Sequence, residues 1–203
     1  MEELEFVIAT GNKGKVREME NILGRSGWKC IALSDLGFTL EDEETGRKFL
    51  DNARIKAREA RRKTGRAVIA DDSGLMVDAL GGGPGVHTAR YAGENCTSED
   101  NMNKLLSALE GLPQEERTAR FVSTIVCILP DGREIDTVGT TEGYIGFEKK
   151  GTNGFGYNPI FYRADGRSFG EIPDGERYEI SHRGRALRKL EFKLNNIKRI
   201  QLK

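Results

Sequence analysis

The chain has 203 residues, is 37% hydrophobic and 32% charged, and sets 32 Lys plus Arg against 32 Asp plus Glu. That length suits one domain, or one domain with two lobes, around a sizeable core. The charge balance argues against a nucleic-acid-binding protein, which would usually show a basic excess.

Other classes fall away on residue usage. No apolar run approaches the length needed to span a bilayer, so no membrane partner is expected. The N-terminus, MEELEFVIAT, is acidic and enters a strand pattern at once, unlike a signal peptide, which makes a cytoplasmic location the expectation. Cys30, Cys96 and Cys127 form no C-x-x-C pair and read as small core residues. Only His87 and His182 occur, so a metal would have to lean on carboxylates, which favours a hard ion such as magnesium or manganese.

In chain order, residues 4–9 read as a buried strand and Thr10–Lys15 as a turn into a helix ending near residue 24. Trp28 to Leu33 reads as a second strand. Residues 46–64 predict a helix, with Phe49, Ala53, Ala57 and Ala60 on one face. A short buried strand over 67–70 runs into an acidic turn at Asp71–Gly74. Gly81–Gly85 is a loop. A helix follows Thr97 or Ser98 and runs to about residue 109, where Gly111 and Pro113 stop it. Residues 118–129 and 134–147 predict two long strands joined by the turn Pro130–Arg133. Gly151–Asn158 is a second glycine-rich loop, 164–180 looks irregular, and a basic helix begins near Ser181. The order implies an α/β fold with a mixed sheet and no separable linker.

Five clusters carry candidate chemistry. Thr10, Gly11, Asn12, Lys13, Gly14 and Lys15 feed a helix N-terminus, where backbone N–H groups and the helix dipole suit phosphate. An ordinary glycine turn with surface lysines would look the same. Asp71 and Asp72, with Ser73, end a buried strand, where a cation would relieve their repulsion and desolvation. Because strand neighbours face opposite ways, only one of the two need face a metal. An acidic cap or Asx turn is the competing reading. Glu41–Glu44 complement the dipole of the next helix, and one of them could ligate metal. On that helix Lys56 interrupts the apolar stripe, with Asn52 one turn earlier on the same side; Lys56 either snorkels or serves as a functional cation. Two glycines leave Phe155 exposed for stacking, or as a loop anchor. His182 and Arg183 open a helix, either as polar readers of a ligand or as a solvated basic face.

The segments Ala9–Lys15, Ile69–Leu75, Gly154–Phe161 and Ser181–Leu187, in this order and spacing, resemble the inosine/xanthosine triphosphatases, which are pyrophosphatases of non-canonical purine nucleoside triphosphates. The resemblance runs from residue 4 to about 195. It implies two α/β lobes flanking a long mixed sheet, with the active site in the cleft between them. It also implies a homodimer, magnesium, and hydrolysis of ITP, dITP and XTP to the monophosphate and pyrophosphate. By the same resemblance, Thr10–Lys15 hold the triphosphate, Glu44 and Asp72 bind the metal, and Asp72 is the general base with Asp71 beside it. Lys56 lies near the phosphates, and Ser73 contacts substrate. Phe155 stacks on the purine with Gly156, Tyr157 and Asn158 alongside, and His182 and Arg183 read its 6-oxo edge. The chain departs from the family's pattern at Asn158, where aspartate is usual, and at Arg177, where lysine is usual. A house-cleaning pyrophosphatase for modified pyrimidine nucleotides and a non-catalytic nucleotide sensor are the alternatives. The His182-Arg183 pair argues against the first and the acid pair against the second.

Overall fold

The computed structural model describes residues 5–201, with side chains described as far as residue 197, so Leu4 of the first predicted strand lies outside the described residues. The sheet is mixed and has six strands: β1 (Glu5–Ala9), β2 (Lys29–Ala32), β3 (Ala67–Val77), β4 (Thr118–Ile128), β5 (Glu134–Ile145) and β6 (Phe161–Tyr162). Its order is β2-β1-β3-β4-β5-β6. β1 pairs in parallel with β2 and β3, while β5 and β6 are antiparallel. The helices are α1 (Lys13–Arg25), α2 (Phe49–Thr64), α3 (Ser98–Ala108), α4 (Asp174–Ile180) and α5 (His182–Gln201).

Contacts divide the chain into two compact units. The first contains the segment ending at Asp72, Ser123–Gly139 and the segment starting at His182. Its core sets Ala53, Ala57 and Ala60 of α2 against Val7, Ala9, Val68, Ala70, Val126 and Ile128. The alanines explain the close fit, since a helix face without long side chains can approach the strands. The predicted stripe on α2 is therefore the core face.

The second unit contains Ser73–Val122 and Thr140–Ser181. Its core joins Leu75, Val77, Met102, Leu105 and Leu109 to an aromatic group, in which the rings of Phe121 and Phe161 lie 4.5 Å apart. α3 is started by a capping box between Thr97 and Asp100, as its sequence suggests. Buried Arg117 donates to the carbonyl oxygens of Leu109, Ile145 and Gly146 at 2.7–2.8 Å.

Three expectations are corrected. The acidic segment is no turn: β3 continues through Asp71-Asp72-Ser73-Gly74 to Val77. The region 164–180, expected to be irregular, contains α4. α2 starts at Phe49, three residues later than predicted, and only Asp51 is acidic in its first turn, so Glu41–Glu44 do not serve its dipole.

Candidate active site

The two strand aspartates have separate surroundings, both within the first unit. Asp71 is fully buried. Its Oδ1 accepts from Ser123 Oγ at 2.5 Å, and its Oδ2 meets Lys15 Nζ at 2.9 Å and Arg183 Nη2 at 3.2 Å. Burial raises its pKa, but Arg183 and Lys15 outweigh burial and hold the carboxyl well below the usual range. Asp72 shares its face of β3 with Val68 and Ala70, toward α2. Lys56 Nζ donates to its Oδ1 at 2.8 Å and Asn52 Nδ2 to its Oδ2 at 3.3 Å. Here burial prevails over Lys56 and Lys15, and the pKa is raised. Asp71 is thus held in its charged form by two cations, whereas the surroundings of Asp72 favour its protonated form more.

Glu44 reaches the same place from the segment before α2, with its Oε1 3.3 Å from Lys56 Nζ. Two carboxylates thus converge on one positive charge, the Lys56 ammonium. This all-oxygen donor pair fits a hard divalent cation completed by phosphate and water oxygens. Among the described residues no group of three or more His, Cys, Asp or Glu forms a metal cluster.

The turn after β1 differs in detail from its expected form. Asn12 caps α1, and its Oδ1 accepts from the backbone N–H of Gly14 and Lys15 at 2.9 and 3.1 Å. Two of the N–H groups expected to face phosphate are therefore already engaged. Thr10 is buried and its Oγ1 accepts from Asn12 N at 3.2 Å. Gly11 and Lys13 are exposed, while Lys15 turns inward to Asp71.

At the start of α5, Arg183 is 1% exposed and bonded to Glu18 Oε2 at 2.5 Å as well as to Asp71. This excludes the solvated basic face. His182 is buried, and burial together with the Arg183 charge lowers its pKa well below the ordinary histidine value, so it is neutral near pH 7.

In the second unit, Phe155 has an exposed ring, as two flanking glycines suggest, and Gly156 is half-buried. Tyr157 is buried in the core, and its hydroxyl donates to Thr88 O at 2.8 Å, so its side chain anchors the loop. Asn158 is buried, with its Nδ2 against the Cα of Gly154, where a Cβ would overlap it. Arg177 Cζ lies near the same spot, while its guanidinium donates to Ile172 O at 3.0 Å and Asp174 Oδ1 at 2.5 Å.

Glu18, Ser123 and Glu59 were missed in the sequence. Glu59 is fully buried and accepts from the backbone N–H of Glu41 and Asp42 at 2.7 and 3.1 Å. Its spacing of three from Lys56, on the same stripe of α2, was the available signal. Glu18 lies one turn after Lys15, but nothing local marks its partner, 165 residues away.

Fold and site together define a mixed α/β protein whose central strand carries two aspartates with opposed electrostatics. The profile of the Ham1 family matches residues 6–193, and the chain belongs to that family. It is 50% identical over 193 residues to the dITP/XTP pyrophosphatase of Bacillus licheniformis, covering 94% of this chain and 98% of the relative. It is 48% identical to the protein of that name from Haemophilus influenzae, with the same coverage. Among solved structures, the HAM1 protein from Coxiella burnetii superposes with a TM-score of 0.83 at 40% identity, covering 95% of this chain and 99% of that one.

Proposed function

We propose that this chain hydrolyses ITP, dITP and XTP to the monophosphate and pyrophosphate with magnesium, clearing deaminated purines from the nucleotide pool. Near-full-length similarity to proteins named dITP/XTP pyrophosphatase supports the reaction class. The observation that carries the assignment of residues is the meeting of Glu44 and Asp72 at Lys56. Those two carboxylates would hold the ion, which when bound polarises phosphate oxygens and orients water. Asp72 accepts a proton from the water that attacks the α-phosphorus. The new bond is P–O to that water and the broken bond is the α–β bridge, so pyrophosphate departs.

Positioning and electrostatics dominate such chemistry. Lys13 and Lys56 are assigned to the charge on the departing pyrophosphate. Lys15, committed to Asp71, raises the local positive potential without changing partner. Thr10, Gly11, Asn12 and Gly14 shape the phosphate turn, and Ser73 contacts the substrate. On the base, Phe155 stacks, with the Gly156 and Asn158 backbone nearby and Arg177 fixing the loop. Neutral His182 and the locked guanidinium of Arg183 supply donors for the 6-oxo edge, where inosine presents an acceptor and adenine an amino donor.

We also infer that the two units work as one domain and that the protein is a cytoplasmic homodimer. Among the described residues no helix is long and apolar enough to cross a membrane. The test is a panel of nucleoside triphosphates with magnesium and product analysis. Pyrophosphate plus inosine monophosphate is expected. Orthophosphate plus diphosphate, or equal turnover of ATP and ITP, would overturn the assignment.

A further inference from the structure

The polar side of α2 does more than supply Lys56. Asn52, Lys56, Glu59 and Lys63 follow one another at helical spacings of four, three and four, and so form one stripe. Residues 38–46, which have no regular structure, run along that stripe in the opposite direction. Lys63 Nζ donates to Thr39 O at 2.7 Å and pairs with Glu41 at 3.2 Å. Glu59 takes the N–H groups of Glu41 and Asp42, one on each carboxylate oxygen, and is paired with Lys63 at 2.9 Å. Lys56 meets Glu44. Asn52 Oδ1 accepts from Gly46 N at 2.7 Å while its Nδ2 reaches Asp72. Gly46 permits that last bond, because a Cβ there would sit 2.5 Å from Asn52 Oδ1 and 2.9 Å from Asn52 N.

The segment is therefore pinned on both sides of Glu44, by the fully buried Glu59 and the nearly buried Asn52. We propose that Glu59 and Asn52 are positioning residues that hold Glu44 beside Asp72 before any ligand arrives, so that cation affinity is set by the rigid helix and not by the loop. Glu59 acts through the backbone of residues 41–42 and through Lys63, which holds Thr39 O and Glu41. The inference rests on the proposed role of Glu44 as a metal ligand. Outer partners that orient a ligand have measurable weight: removing one typically weakens metal binding by about tenfold or more.

The test uses the full chain, manganese as the probe, and the variants Glu59→Gln, Gly46→Ala and Glu44→Gln. Amide hydrogen exchange on the metal-free wild type should show slow exchange at Glu41, Asp42 and Gly46; exchange at unstructured-chain rates there overturns the proposal. In Glu59→Gln the amides of Glu41 and Asp42 should exchange faster. Manganese binding, read by water-proton relaxation, and the half-saturating manganese for turnover should both weaken by about tenfold, with turnover restored at saturating manganese. Gly46→Ala, whose added Cβ meets only Asn52 and Asp51 in the first turn of α2 and leaves the Glu59 contacts untouched, should do the same from the other side and carries the test if Glu59→Gln fails to fold. Wild-type manganese affinity in both variants, with Glu44→Gln impaired, overturns the clamp alone. Wild-type affinity in Glu44→Gln overturns the metal assignment, and the clamp with it.

Discussion

Asp71 and Asp72 are chemically identical neighbours with opposite pKa shifts, and each shift makes a separate prediction. Asp72→Asn keeps the size of the side chain and removes the proton acceptor. Turnover should fall by about 10²–10⁴-fold, at a smaller cost in stability than at Asp71 because Lys56 keeps Glu44 as a counterion. In the metal-free protein burial raises the Asp72 pKa above the ordinary aspartate value of 3.8, which an NMR titration of the carboxyl group without metal checks. Asp71 behaves the other way. Its folded pKa is depressed, so the stability it contributes is fully present above its unfolded pKa and is lost as pH falls toward the folded value. Asp71→Asn removes the counterion of buried Lys15 and one of the two carboxylates at Arg183 and should cost about 3–5 kcal/mol near neutrality. It should also flatten the acid limb of stability, which urea unfolding across the acid range would measure. The sequence showed that only one of the pair need face a metal. The family resemblance pointed to Asp72, but strand alternation alone could not, because the choice depends on α2 covering one side of β3 while Lys15 and Arg183 reach the other. The Arg183–Glu18 pair was illegible for a related reason, since the two are brought together only by the packing of α1 and α5.

Elements were legible where periodicity was long and hidden where it was short or broken. The alanine stripe announced α2, but no Ser, Thr, Asp or Asn stands at its start. The cap is Lys48, which makes no side-chain capping bond, and the predicted boundary fell early. α4 spans one short stretch after Pro173, too brief for a pattern to emerge. β3 was cut short because aspartate and glycine are poor strand formers. Buried cations on both faces stabilise the extended chain there. α5 lies against β5: Thr137 Oγ1 donates to Ala186 O at 2.9 Å, and Lys189 and Lys193 donate to the carbonyl oxygens of Val138 and Asp136. Gly139 allows that approach, since a Cβ would overlap the His182 carbonyl oxygen and come within 2.5 Å of Ala186 N. Both obstacles are backbone, so Gly139→Ala must displace the first turn of α5. A destabilisation of about 1–3 kcal/mol is expected, together with a loss of discrimination between ITP and ATP that exceeds the loss of kcat.

For the whole molecule, the α/β class and the mixed character of the sheet were legible from element order, whereas β6, only two residues long, was not. The duties proposed for substrate fall in different units: the carboxylates and lysines in the first, Phe155 in the second. Phe155→Ala should therefore raise KM for ITP by about tenfold, as loss of one base stack implies, and leave kcat largely intact, the reverse of Asp72→Asn. Steady-state kinetics on the two variants checks this. At Asn158 the chain lacks the charge that the family's usual aspartate would bring, and nearby Arg177 has its counterion in Asp174 on the same helix.

Under the proposed roles, the alternation of Asp71 and Asp72 along β3 makes the reading frame of a strand part of the catalytic apparatus. Sliding that strand by a single residue would exchange its two faces, placing the proton acceptor among the fixed cations and the counterion against α2. A deletion that a surface loop would absorb would here leave every functional group present and each in the wrong place. In a library of single-residue insertions and deletions, residues 67–72 should be a gap in activity with sharper edges than point substitutions draw, because point substitutions test one side chain and a frame shift tests the arrangement.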